Sequence, residues 1–193
     1  MAKNSPKQDR LQEDADNPLA LAFQKLREGR GREAAELYHD IVKPAETPLV
    51  AQEVDPENVE NLAHLATAYG ALGRFGEADA VIEEALRLDP ANVQVRVGEA
   101  ILAFRKGLYG AAEVQLKGIC KRNPSHGPAH FYRGEALNRL GRVDEALQTM
   151  ERTIELQPRN WRAYPTLGML FDRKDDPERA SEMYRYAREL NRL

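Results

Sequence analysis

An all-α fold of stacked helix pairs is what this 193-residue sequence predicts, and three observations predict it. The chain repeats itself every 34 residues. The pattern GxxxxA recurs as Gly73 to Ala78, Gly107 to Ala112 and Gly141 to Ala146, and Pro90, Pro124 and Pro158 keep the same interval. Between these markers the apolar residues fall at spacings of three and four, the helical period. Alanine and leucine abound while aromatics are only 7% of the chain, as expected of helices packed by small residues. A fixed interval of this size marks supersecondary units that bury their apolar faces against one another.

In chain order, residues 1–16 are polar and are expected to be disordered. Residues 17–58 read as a degenerate first repeat, with Gly29 and Ala34 spaced as in the later units. An insertion at 44–55 lengthens it, and Pro44 and Pro48 must break the helix there. Four gapless units follow: 59–92, 93–126, 127–160 and 161–193. In the first of these, Leu62, Leu65, Ala66 and Tyr69 form one helical face, and Gly73 stops the helix. Ala78, Ile82, Ala85 and Leu86 form the face of a second helix, which Asp89-Pro90 ends. Ala66 and Ala78, like Gly134 and Ala146 in the third unit, let the two backbones approach closely.

Composition excludes several classes of function. There is no apolar run near ~18 residues, so no membrane span is expected. The opening MAKNSPKQDRLQEDADN has no hydrophobic stretch after its lysines, so no secretory leader is expected either. The single cysteine, Cys120, suits a reducing compartment, and a cytoplasmic location is expected. A net charge of −3 argues against general nucleic-acid binding, although the charge is unevenly spread. Residues 51–100 carry 3 basic and 10 acidic side chains, whereas residues 101–150 carry 8 basic and 4 acidic ones. Such asymmetry steers charged partners or lets copies stack head to tail. Lys117, Lys121 and Arg122 belong to the basic segment, where a solvated outer face is the default reading and an acidic partner or a lipid surface the minority one.

No constellation of titratable groups converges as catalysis requires, so the chain is read as non-enzymatic. His126 and His130 have the i, i+4 spacing of zinc helices, but Pro128 lies between them and His126 falls in a turn. No metal or cofactor is therefore expected. Cys120 stands in a column occupied by Leu86 and Ile154 and reads as core packing. Glu99 and Arg133 are a different matter. They replace apolar residues at one position of adjacent units, where Leu65 and Leu167 stand elsewhere, and read as a structural inter-repeat ion pair.

The repeat resembles the tetratricopeptide repeat. That family's pattern is matched best by Tyr164, Leu167, Gly168, Phe171, Ala180, Tyr184 and Ala187 in the last unit. The resemblance covers 59–193 without gaps and implies a right-handed superhelix, an α-α solenoid whose first helices line a concave groove. It also places a partner on the inner face of those helices. Val97, Ile101, Phe104, Phe131 and Met169 would make that face apolar, and Glu135, Asn138 and Arg162 would frame it. The chaperone-tail clamp found in part of the family is not expected. Its lysine and asparagine positions hold Ala63, Thr67, Val97, Ile101 and Phe131.

The leading expectation is an adaptor that binds the amphipathic or apolar segment of a protein or peptide partner in this groove. A self-assembling scaffold and a secretion or assembly chaperone shielding an apolar client are the alternatives. Membrane association would be peripheral, through a protein partner.

Overall fold

The computed structural model of the protein describes residues 59–192, together with Leu21, Lys25, Arg30, Glu33, Glu36 and Leu37. The polar tail and the insertion at 44–55 lie outside the described residues, as does most of the degenerate repeat. From residue 59 onward the chain forms eight helices: α1 (Val59–Ala71), α2 (Phe75–Leu88), α3 (Val93–Arg105), α4 (Tyr109–Arg122), α5 (Gly127–Arg139), α6 (Val143–Leu156), α7 (Ala163–Asp172) and α8 (Pro177–Leu190). Two of these helices fall in each 34-residue interval. The chain divides into two compact units, Met1–Gly98 and Glu99–Leu193, with the boundary inside α3.

The turn within each pair has one design. Gly73, Gly107 and Gly141 have φ of +74°, +80° and +74°, a left-handed conformation that glycine adopts without strain. The next amide then reaches back five residues: Arg74 to Tyr69, Leu108 to Ala103 and Arg142 to Leu137, at 2.9–3.0 Å. This closes the orphan carbonyls at the helix end. The fourth unit makes the same bond, Asp176 to Phe171 at 3.0 Å, but puts Asp175 at φ +55° where the others have glycine.

In the first unit α1 packs on α2. Leu62, Leu65, Ala66 and Tyr69 are buried on one side, Ala78, Ile82 and Ala85 on the other, as the spacing predicts. In the second unit α5 packs on α6 and α7 on α8, while α4 also packs on α5 and α6 on α7. The core there gathers Leu137, Met150, Leu167, Leu170 and Phe171 around Ala146, Ala163 and Ala180. Fully burying one such leucine contributes about 2 kcal/mol. Small residues make the approach possible. A Cβ on Gly134 would lie 2.9 Å from Met150 Cγ, and one on Gly168 would lie 2.5 Å from the Tyr184 ring.

Candidate functional site

The face expected to receive a partner is carried, in the second unit, by the end of α3, by α5 and by the α7 segment. Its apolar members are unequal. Ile101, Phe104 and Phe131 are each half-buried. The Phe104 ring sits 5.3 Å from Tyr109 and 5.8 Å from Tyr132, and Phe131 sits 5.2 Å from Tyr132. Phe131 also packs against the core cluster. These side chains therefore tie helices together as well as edging the surface. Met169 is different: it is 44% exposed on α7. Val97 lies in the other unit and is 3% exposed, so it has almost no surface to offer.

The polar members are held in place. Glu135 on α5 accepts a hydrogen bond from the Thr166 hydroxyl of α7 at 2.5 Å. Asn138, three residues on, accepts one from Arg173 at 2.9 Å. Two cross-links thus fix α5 beside α7. Arg162 belongs to the turn before α7 and not to its first helical position. There its guanidinium lies 5.8 Å from the ring of Trp161, which is 39% exposed. Trp161, Thr166 and Arg173 stand outside the inner-face positions that the repeat marks. The cross-links were foreshadowed only by their separations of 31 and 35 residues, close to one repeat.

Arg133 forms an ion pair with Glu113 of α4, Nε to Oε1 at 3.2 Å. Arg142, in the turn before α6, reaches the other oxygen of Glu113 at 3.3 Å. Glu113 is 4% exposed, so this one carboxylate receives guanidinium groups from two later segments inside the protein. Buried pairs seldom add net stability, but removing one partner strands the other at roughly 3–5 kcal/mol. The repeat interval pairs Arg133 with Glu99; Glu99 is half-buried on α3, and the partner that Arg133 takes is Glu113 of α4. The signal was available. Glu113 shares the three-and-four spacing of Leu116 and Cys120, both buried.

Both histidines of the zinc-like spacing are engaged at the start of α5. His126 Nδ1 accepts the Ala129 amide at 3.2 Å and caps the helix. His130 Nε2 lies 3.1 Å from the Pro124 carbonyl, so this nitrogen carries the proton. Burial is the main cause that holds His130 below the usual histidine range. Cys120 is buried, and burial pushes its thiol up, away from reactivity. Among the described residues no group of three or more histidine, cysteine or acidic side chains is placed to hold a metal ion. No helix among them is long and apolar enough to cross a membrane.

Helix pairs recurring every 34 residues, closed by one turn geometry and cross-linked between first helices, define a helical-repeat module. The tetratricopeptide repeat model matches residues 64–116 and 115–165, and the chain belongs to that family. The family is generally a protein–protein interaction module and is typically non-catalytic. Among curated relatives, human tetratricopeptide repeat protein 13 is 29% identical over 143 residues, covering 70% of this chain and 16% of its own length. The human mitochondrial import receptor subunit TOM70 is 24% identical over 150 residues, covering 74% of this chain and 25% of its own. The chain thus spans a quarter or less of the length of these relatives.

Solved structures of MamA share the fold. MamA from Desulfovibrio magneticus RS-1, residue 41 to the end, has a TM-score of 0.61 at 21% identity, covering 93% of this chain and 96% of that one. A second MamA crystal structure gives 0.60 at 23%, covering 89% and 94%.

Proposed function

We propose that the chain is an adaptor whose first helices bind an amphipathic or apolar segment of a protein partner, in the cytoplasm. The exposed Met169 side chain carries this reading: a large apolar group left in water on α7, beside a helix pair cross-linked by Glu135–Thr166 and Asn138–Arg173. A face held rigid before binding avoids part of the ordering cost of association. Met169 and Trp161 supply adaptable and aromatic contact area, the kinds of residue that dominate interface energetics. Arg162 sets the polarity at one end.

The test uses exposed positions, because Phe131 is packed into the core and its replacement by a charge would threaten folding. Wild type and a Met169→Glu/Arg162→Glu variant of unchanged melting temperature are used to capture partners from native extract. Loss of a captured protein by the variant alone supports the reading. Capture of the same proteins by both moves the function away from this face.

A further inference from the structure

A second surface, formed by α4, α5 and α6, has a chemistry of its own. α4 and α6 each pack along α5 or its neighbours, and an open pocket of about 420 Å³ lies against α5 and α6. His130 and Arg133 of α5 line it, with Gln148, Thr149, Arg152 and Glu155 of α6. The Arg133 side chain is only 18% exposed, and Nε alone hydrogen-bonds, to Glu113. Among the described residues its two terminal amino groups have no hydrogen-bond partner, and Arg133 lines the pocket. A guanidinium oriented this way presents a fork that matches a carboxylate.

The surrounding charge points the same way. Every acidic side chain between residues 101 and 150 is already engaged. Glu113 takes Arg133 and Arg142, Glu145 takes Arg142, Asp144 takes Lys174 and Glu135 takes Thr166. The basic side chains are not used up. Lys117 and Lys121 of α4 are exposed, form no ion pair among the described residues, and continue the row begun by Glu113 at steps of four residues. The Glu145 carboxyl is held below its usual range first by the hydrogen bond from Arg142, then by the fields of Arg142, Arg133 and Lys117. Lys117 lies one helical turn beyond Glu113, which itself contacts Arg133 and Arg142. Glu151 also lines the pocket and Glu155 is bound by Arg152 at 2.7 Å. Both are exposed, so solvent weakens their field far more than that of the sequestered Arg133.

We propose that this pocket and the α4 lysines bind an acidic peptide segment of a partner protein, with one carboxylate pairing to Arg133 and its neighbours running along Lys117 and Lys121. This site is separate from the face carrying Met169, and its occupant is anionic where that face is apolar.

Fluorescence anisotropy of a labelled hexaglutamate peptide, at 50 mM salt, tests it. Saturable binding is expected, and Lys117→Ala/Lys121→Ala is expected to weaken it about tenfold. Gln148→Glu, an exposed change that adds a negative charge at the pocket, is expected to weaken it comparably. An Arg188→Ala/Arg192→Ala variant removes the same charge from the C-terminal end and should bind within about twofold of wild type. Arg133→Lys, provided its circular dichroism matches wild type, should weaken binding by losing the fork; if it unfolds, Gln148→Glu reports on the pocket. Absence of saturable binding overturns the proposal, and so does equal loss in the two double variants. Tighter binding of inorganic polyphosphate or of phosphatidylserine vesicles than of hexaglutamate also overturns it, assigning the surface to phosphate.

Discussion

At the scale of single residues, the fourth helix pair is closed by the wrong residue in the right place. Asp175 takes φ +55° at the position where three glycines stand one interval apart, and the turn still makes its five-residue hydrogen bond. Aspartate tolerates this conformation better than most residues, but glycine adopts it without the clash of a Cβ. Asp175→Gly is therefore expected to raise stability by about 0.5–1 kcal/mol, less the greater freedom it gives the unfolded chain. Thermal melts of the two proteins would check this, and a lower melting temperature for the glycine variant would show that Asp175 does something besides turn. The next residue works in the opposite sense. Asp176 accepts the Arg179 amide at 3.1 Å, and that bond is the first cause of its lowered carboxyl pKa. The sequence pattern carried the first three turns plainly, because glycine is costly inside a helix and is favoured just past its end. It was silent on the fourth, since Asp175-Asp176 ahead of Pro177 reads equally well as the cap of the next helix.

At the scale of helices, contact is set by what is missing. Gly168 lets the Tyr184 ring lie against the α7 backbone, and Tyr184 donates from its hydroxyl to Asp172 at 2.7 Å. That bond, with burial second, pushes the tyrosine up to about 12. Gly168→Ala would improve helix propensity by about 1 kcal/mol, yet its methyl would meet the ring at a distance no real contact shows. The ring is held by its hydroxyl bond and cannot swing aside cheaply. A net loss of roughly 1–3 kcal/mol is expected in chemical denaturation, and a gain would mean the α7–α8 contact is looser than described. The helices themselves were legible because the interval is so regular: packing positions such as Leu65, Ala78 and Leu167 recur at fixed places and are buried. The surface of the first helices was only partly legible. Each such helix has neighbours on more than one side, so Phe104 and Phe131, set slightly off the packing face, still find rings to touch. Spacing alone could not separate them from Met169, which is 44% exposed.

At the scale of the whole chain, the two proposed surfaces use different physics. The face with Met169 and Trp161 depends on apolar contact, so its binding should change little with salt. The surface with Lys117, Lys121 and Arg133 depends on charge and should weaken as salt rises. One module could therefore hold two kinds of segment at once. The regular interval builds the module, and departures from it individualise its surfaces: Arg133 stands where Leu65 and Leu167 stand in other units.

Glu113 gives the array a memory of order. A chain of interchangeable units could lose one by recombination and close the gap, because each interface resembles the next. Here the unit 127–160 cannot be cut out so simply. With residue 126 joined to 161, the positions of Arg133 and Arg142 would be filled by Leu167 and Asp176. Glu113, 4% exposed, would then face an apolar side chain and a second carboxylate in place of two guanidinium groups. Such a shortened chain should be far less stable than loss of one unit alone implies, and Glu113→Leu should repair much of the deficit. Comparing the unfolding of the two shortened chains would show whether this one buried charge is what makes the repeats non-exchangeable.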